Sequence, residues 1–437
     1  MCHHIKKMKT PELYKIFREH PQITTDSRNC PENSIFFALK GDNFDGNNYI
    51  EAALQNGAVY AVGDRDNLPS GDRIIRVENS LQTLQDLATY HRRQINPFVV
   101  AITGTNGKTT TKELTAAVLS SRFQTLYTQG NFNNHIGVPL TLLRLREGDE
   151  FAVIEMGANH PGEIRELCGI AEPDFGLITN IGKAHLEGFG SFEGVIRTKT
   201  ELYDYLRERN GKVFANVDNP LLSPFFPSLN IISFGKSNEN FVSGKVIKDL
   251  PFLGIEWKKG NGENQVISSH LTGSYNFENI LSAVCIGSFF GINADTINQA
   301  ISSYIPDNNR SQYIQTTKNV LIADAYNANP SSMQAALINF FQLKANPKMV
   351  VLGEMKELGD YSEEEHRAII RLLKENPVDK VYLIGANFSV NELSANWKVF
   401  HRTEELKDYL QQNPVEGYHV LIKGSRSNKL ETVISDF

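Results

Sequence analysis

The stretch Phe98-Val99-Val100-Ala101-Ile102-Thr103-Gly104-Thr105-Asn106-Gly107-Lys108-Thr109-Thr110 reads as a strand, a glycine loop and a helix start in direct succession. The unbroken apolar run predicts a strand buried on both faces, as in parallel sheets. Glycines let the backbone curl so that successive N–H groups point at phosphate oxygens, and a helix N-terminus adds a favourable dipole. Lys108 supplies a cation for the β- and γ-phosphates, and Thr109 a hydroxyl for Mg²⁺. A bare Gly-Lys-Thr can also be a surface turn before a helix, but the buried strand ahead of it favours a phosphate loop. The general pattern asks for a glycine five places before Gly107, where this chain has Ile102. The match departs from that pattern, and Gly104, Thr105, Asn106, Gly107, Lys108, Thr109 and Thr110 are the residues left to surround the phosphates of a nucleotide.

On its N-terminal side, Asn96-Pro97 breaks a helix expected over 81–94. Residues 1–96 mix such helices with short strands at 34–39, 58–62 and 74–77. On its C-terminal side, apolar runs at 152–154, 175–179 and 213–215 alternate with helical segments and predict buried parallel strands. The stretch 231–271, with the turn Lys259-Gly260-Asn261-Gly262, reads as a small antiparallel addition. After Pro306, runs at 320–323, 349–352, 381–384 and 420–422 suggest an open sheet of Rossmann type. The fold class expected is α/β in three domains: a mixed α/β domain over 1–96, a phosphate-loop domain with a mostly parallel sheet over 97–306, and a Rossmann-like domain over 307–437.

The 437 residues suit about three cores, and 41% hydrophobic with 22% charged residues describes an ordinary globular chain. No segment approaches the roughly 18 to 20 apolar residues that span a bilayer. A net charge of -6 argues against broad nucleic-acid affinity. The start, Met1 to Met8, lacks the apolar core of a signal peptide, and Met8 could equally be the natural start. Cys2, His3 and His4 have the wrong spacing for a structural zinc site and read as a frayed terminus. Cys2, Cys30, Cys168 and Cys285 lie far apart, which fits a reducing cytosol.

Glu155 and His185 each follow an expected strand, at the carboxyl edge where open α/β sheets bind ligands, so both could meet Mg²⁺-ATP. Phe192, Val195, Lys199, Leu202 and Leu206 follow the spacing of one helix face, so a lysine interrupts an apolar stripe. Snorkelling of the ammonium to water is the reading the residues favour by themselves. The alternative is a buried amine of depressed pKa that reacts with CO₂ to give a metal-binding carbamate.

The Gly-Thr-Asn-Gly-Lys-Thr-Thr loop resembles the ATP loop of the Mur ligases and folylpolyglutamate synthetases. Further motifs extend the resemblance across nearly the whole chain: Thr128-Gln129-Gly130-Asn131-Phe132-Asn133-Asn134-His135-Ile136-Gly137-Val138-Pro139, Glu155-Met156-Gly157-Ala158-Asn159 and Asp324-Ala325-Tyr326-Asn327-Ala328-Asn329-Pro330. These resemble the Mur branch that joins D-alanyl-D-alanine to a UDP-N-acetylmuramoyl-tripeptide. The sister ligases that add the third residue usually carry a Ser-Ser-His-like run after the glutamate and a His in place of the Asn in the last motif, and neither is present.

The resemblance implies an ATP- and Mg²⁺-dependent ligase of peptidoglycan synthesis that uses these two substrates; a cytoplasmic monomer that binds no nucleic acid and spans no membrane is expected. Catalysis falls to Lys108, His185 and Lys199, the last carbamylated, and Mg²⁺ to Thr109, Glu155, His185 and Lys199. Ser27, Arg28, Asp45 and Gly46 are assigned to the UDP pocket, where Arg28 suits a pyrophosphate. Without the resemblance, an Asx-turn plus a surface arginine would be preferred there. Asn276 and Asn279 are assigned to the adenine side, though alone they would pass for helix-surface residues. Arg310 and Asp324 are assigned to ATP, and Asn131, Asn133, Asn134, Tyr326 and Asn327 to the other substrates. Lys423-Gly424-Ser425-Arg426 falls at another sheet edge. Ser362 and Glu365 fit a capping box and receive no catalytic role. The rivals are another ligase of the superfamily and a nucleotide-operated switch that hydrolyses ATP without forming an amide.

Overall fold

The computed structural model describes residues 8–388 and 395–437. The Cys2, His3 and His4 reading lies outside the described residues. Three main sheets follow one another along the chain. The first has four parallel strands in the order Ile23–Thr24, Ser34–Phe37, Ala58–Gly63, Ile74–Arg76. It ends in the helix Ser80–Ile95, whose N-terminus Asn79 caps by accepting from the Gln82 N–H at 2.9 Å. Asn96 closes that helix in the left-handed region, φ 56°, a conformation Asn tolerates, and Pro97 prevents its continuation.

The second sheet has nine strands, with Phe98–Thr103 between Phe175–Ile178 and Phe151–Glu155, all three parallel. Buried on both faces, Phe98–Thr103 sends Val99 and Ala101 into one core and Val100 and Ile102 into the other. The first of these cores also holds Leu13, Phe17, Leu84 and Leu87, so the N-terminal part packs on the central sheet through a shared hydrophobic mass. The antiparallel addition is smaller than expected. Asn230–Gly235 and Val242–Lys248 continue the parallel sheet, because Ile232, Phe234 and Val242 are buried in its core; only Gly254–Lys259 and Gln265–Ser268 turn back.

The third sheet has six strands in the order Gln312–Gln315, Val320–Asp324, His419–Lys423, Lys348–Gly353, Lys380–Ile384, Trp397–Phe400. All pair in parallel except Gln312–Gln315, as a Rossmann-type sheet requires. Ser362 and Glu365 form no capping box: Ser362 is the first residue of the helix Ser362–Glu375, whose N-cap position is Tyr361, and Glu365 turns instead to Lys183 at 2.6 Å. That contact joins the second and third sheets' layers. Among the described residues, no helix is long and apolar enough to cross a membrane.

Candidate functional site

The carboxyl ends of Phe98–Thr103, Phe151–Glu155 and Phe175–Ile178 open into a cavity of about 850 Å³, closed on its far side by the C-terminal part. Gly104 and Gly107 turn the chain out of the sheet at φ 140° and 77°, and a Cβ at Gly104 would come within 2.0 Å of the Thr179 hydroxyl. Only glycine fits there. Gly107 is followed by the helix Lys108–Ser120, so the free N–H groups of its first turn face the cavity. The Lys108 ammonium donates to the carbonyls of Gly104 at 2.8 Å and Thr105 at 3.1 Å. Burial lowers its pKa to about 8, with the nearby Arg310 charge acting the same way and Glu155 opposing.

Thr109 donates to Glu155 Oε2 at 2.9 Å, while Asn133 donates to Glu155 Oε1 at 2.8 Å. A hydroxyl and a carboxylate thus meet beside the loop. Among the described residues no group of three or more His, Cys, Asp and Glu converges as a metal cage. A hydroxyl, one carboxylate and the oxygens of a bound phosphate form the kind of donor set that suits Mg²⁺, which is held through few protein ligands and keeps water. His185, at φ 50°, lines the same cavity, but its Nδ1 pairs with Glu357 of the C-terminal part. That pairing holds the Glu357 carboxylate below its ordinary range.

Lys199 does not snorkel. It is 2% exposed in the helix Phe192–Glu208, and its ammonium lies over the Phe189 ring, 5.4 Å from the centroid. Burial, with the charge of Lys108 adding to it, lowers its pKa to about 7. Asn276 and Asn279 are not surface residues either. Both are buried, Asn279 donating to Asn276 at 2.8 Å and accepting from Thr111 at 3.0 Å, directly behind the Gly107 turn. Both still line the cavity.

From the C-terminal part, the Arg310 guanidinium lies over Tyr326 at 3.8 Å, and Asp324 accepts from the buried Lys423 at 2.5 Å and from the Ser311 N–H at 3.3 Å. Arg310, Asp324, Tyr326, Asn327 and Lys423 line the same cavity as Asn131, Asn133 and Asn134. Asn134 also accepts from the Gly137 N–H at 2.8 Å, starting the next helix. Ser27, Arg28, Asp45 and Gly46 stand apart from this cavity in the N-terminal part. Arg28 is exposed and forks onto both Asp26 oxygens at 2.9 Å, and this bond holds the Asp26 carboxyl down at about 2. Asp45 accepts from Arg65 at 2.8 Å and from the Asn47 N–H at 2.9 Å, and Gly46 packs where a Cβ would be 2.6 Å from the Leu39 carbonyl. Sequence reasoning did not assign Lys423, Asn180, Asn329, Ser331 or Glu357. Lys423 carries a signal as an ionisable residue ending an apolar strand and Asn329 as part of the Asp324–Pro330 motif; the roles of the others follow from contacts between distant segments.

A phosphate loop feeding a cavity shared with a second α/β layer is the arrangement of a nucleotide-using enzyme. Three family models match in turn: "Mur ligase family, catalytic domain" at 21–92, "Mur ligase middle domain" at 102–287 and "Mur ligase, glutamate ligase domain" at 309–426. The chain is 35% identical to UDP-N-acetylmuramoyl-tripeptide--D-alanyl-D-alanine ligase of Bacillus subtilis, over 95% of this chain and 92% of the relative. Among solved structures, MurF from Acinetobacter baumannii superposes with a TM-score of 0.84 at 31% identity, covering 95% of this chain and 92% of its own. MurF ligase from Thermotoga maritima in complex with ADP gives 0.83 at 30% identity, covering 95% and 96%. The chain belongs to the Mur ligase family.

Proposed function

We propose that this chain joins D-alanyl-D-alanine to a UDP-N-acetylmuramoyl-tripeptide at the cost of one ATP, forming the UDP-linked pentapeptide for peptidoglycan synthesis. The observation that carries this is the convergence of the phosphate loop, the Asn131–Asn134 loop and the Asp324–Asn327 segment on one cavity. The relatives named as this ligase and the ADP complex of a similar structure support it.

The terminal carboxylate of the tripeptide attacks the γ-phosphorus of ATP, the bond to the bridging oxygen breaks, and ADP leaves an acyl phosphate behind. Lys108 follows the charge of the group in transfer. Thr109 and Glu155 would hold Mg²⁺, which when bound offsets phosphate charge. Lys199 would support a second cation only once carbamylated. Its depressed pKa leaves a large neutral fraction, and an amine adding CO₂ and releasing a proton becomes an anionic carbamate. His185 would then exchange Glu357 for a metal. Asn276 and Asn279 form the wall toward adenine, and Arg310 with the Asp324–Lys423 pair orients the phosphates. The acceptor amine attacks the acyl carbon and phosphate departs. Seating of the C-terminal part over the cavity excludes water from the acyl phosphate. Ser27, Arg28, Asp45 and Gly46 hold the UDP end, Arg28 exchanging Asp26 for a pyrophosphate. The working units are 1–96, 97–306 and 307–437, in a cytoplasmic monomer whose buried, unpaired Cys30, Cys168 and Cys285 suit a reducing compartment.

An acceptor panel tests the reading. Phosphate release should require D-alanyl-D-alanine and hardly respond to free diaminopimelate or lysine. Preference for a diamino acid would point to the sister ligase, and turnover indifferent to any amine to a nucleotide switch.

A further inference from the structure

Asn106, in the middle of the phosphate loop, divides its polar groups between two parts of the molecule. Its main chain belongs to the central sheet: the N–H donates to Asn180 Oδ1 at 3.0 Å, and the carbonyl accepts from the Thr179 hydroxyl at 2.6 Å and Asn180 Nδ2 at 3.1 Å. Its side chain belongs to the C-terminal part. Nδ2 donates to Ser331 Oγ at 2.9 Å, Ser331 donates to Asn329 Oδ1 at 2.9 Å, and Asn329 Nδ2 returns to Asn106 Oδ1 at 2.8 Å.

These three bonds close a ring in which each side chain both donates and accepts. The direction of the ring is fixed from outside it. The Ser332 N–H donates to Asn329 Oδ1 at 2.9 Å as the N-cap bond of the helix Pro330–Gln342, so the Asn329 amide must face Asn106. Closed rings of this kind strengthen cooperatively. Little room is left for an alternative, since a Cβ on Gly182 would come within 2.7 Å of Ser331 Oγ.

We propose that Asn106 is a positioning residue that couples the phosphate loop to seating of the C-terminal part, the ring with Ser331 and Asn329 being the latch. The proposal rests on the ligase reading and adds to it the contact by which closure reaches the loop that holds ATP. Because the Asn106 main chain is bonded to Thr179 and Asn180 while its side chain is bonded to Ser331 and Asn329, this one residue ties the C-terminal part to the phosphate loop and the strand end beside it.

Ser331→Ala removes a donor and an acceptor from the ring and leaves the helix cap in place. The expected result is an ADP dissociation constant within about twofold of wild type, with kcat for amide formation lowered about 5- to 10-fold, the worth of a hydrogen bond. The double variant Asn106→Ala/Ser331→Ala should be no slower than Asn106→Ala. Asn329→Asp keeps the capping oxygen but loses the ring donor, and should lower kcat by the same factor at an unchanged melting temperature. Unchanged kcat in Ser331→Ala, or effects that multiply in the double variant, would overturn the latch. Small-angle scattering reads the ring without chemistry: with ADP bound, Ser331→Ala should have a larger radius of gyration than wild type, and equal radii would refute the proposal. If wild type forms no amide, the ligase reading fails while the scattering comparison still judges the latch.

Discussion

Thr109 and Glu155, 46 residues apart in sequence, share a hydrogen bond of 2.9 Å between the first turn of the loop helix and the end of the neighbouring strand. The remaining Glu155 oxygen accepts from Asn133 at 2.8 Å, so the carboxylate is aimed from both sides. Glu155→Gln keeps the shape and removes the charge. The Mg²⁺ concentration giving half-maximal rate should rise about 10- to 100-fold, as it does when ligand shells are disturbed. A magnesium titration superimposable on wild type would remove Glu155 from the metal site.

Lys108→Ala should lower the rate at least about 100-fold, the usual consequence of losing a direct transition-state contact. The charge state adds a second test. With the pKa of Lys108 lowered to about 8, the cation is lost from the free enzyme as pH rises through that value. The kcat/KM for ATP should therefore fall through about pH 8, and this limb should vanish in Lys108→Arg, whose guanidinium stays charged. A limb that persists in the arginine variant would assign the titration to another group.

For Lys199, burial lowers the folded-state pKa to about 7 from an ordinary 10.5. Below pH 7 both folded and unfolded chains carry the proton, and the full cost of burying an ammonium is present. Between about 7 and 10.5 the unfolded chain holds more protons, so stability rises with pH in that window. In CO₂-free buffer, the urea midpoint of wild type should climb relative to Lys199→Met as pH goes from 7 toward 10. Parallel midpoints would mean that the amine is hydrated in the folded protein.

What could be read from sequence was what lies close along the chain. The phosphate loop declared itself because strand, turn and helix start are contiguous, and the parallel strands because a core on both faces leaves unbroken apolar runs. Taken by themselves, the residues suggest a snorkelling Lys199 and a surface pair Asn276 and Asn279, and the structure overturns both readings for one reason. A helix pattern shows which residues share a face but not what covers it, and here Phe189 covers Lys199 while the phosphate loop covers the asparagines. The capping-box reading of Ser362 and Glu365 failed similarly, since a local rule cannot anticipate Lys183, 182 residues away, taking the carboxylate. The contacts of Asn106 with Asn329 and Ser331 have no local signature at all.

The central claim is that ATP is spent on one particular amide bond, and the mass of the product tests it most directly. Incubated with UDP-N-acetylmuramoyl-tripeptide, ATP, Mg²⁺ and D-alanyl-D-alanine, the protein should yield a UDP-linked pentapeptide whose mass is the sum of tripeptide and dipeptide less one water. One ADP and one phosphate should accompany each product. Unchanged tripeptide alongside accumulating ADP, or a product enlarged by a single amino acid instead of the dipeptide, would contradict the account.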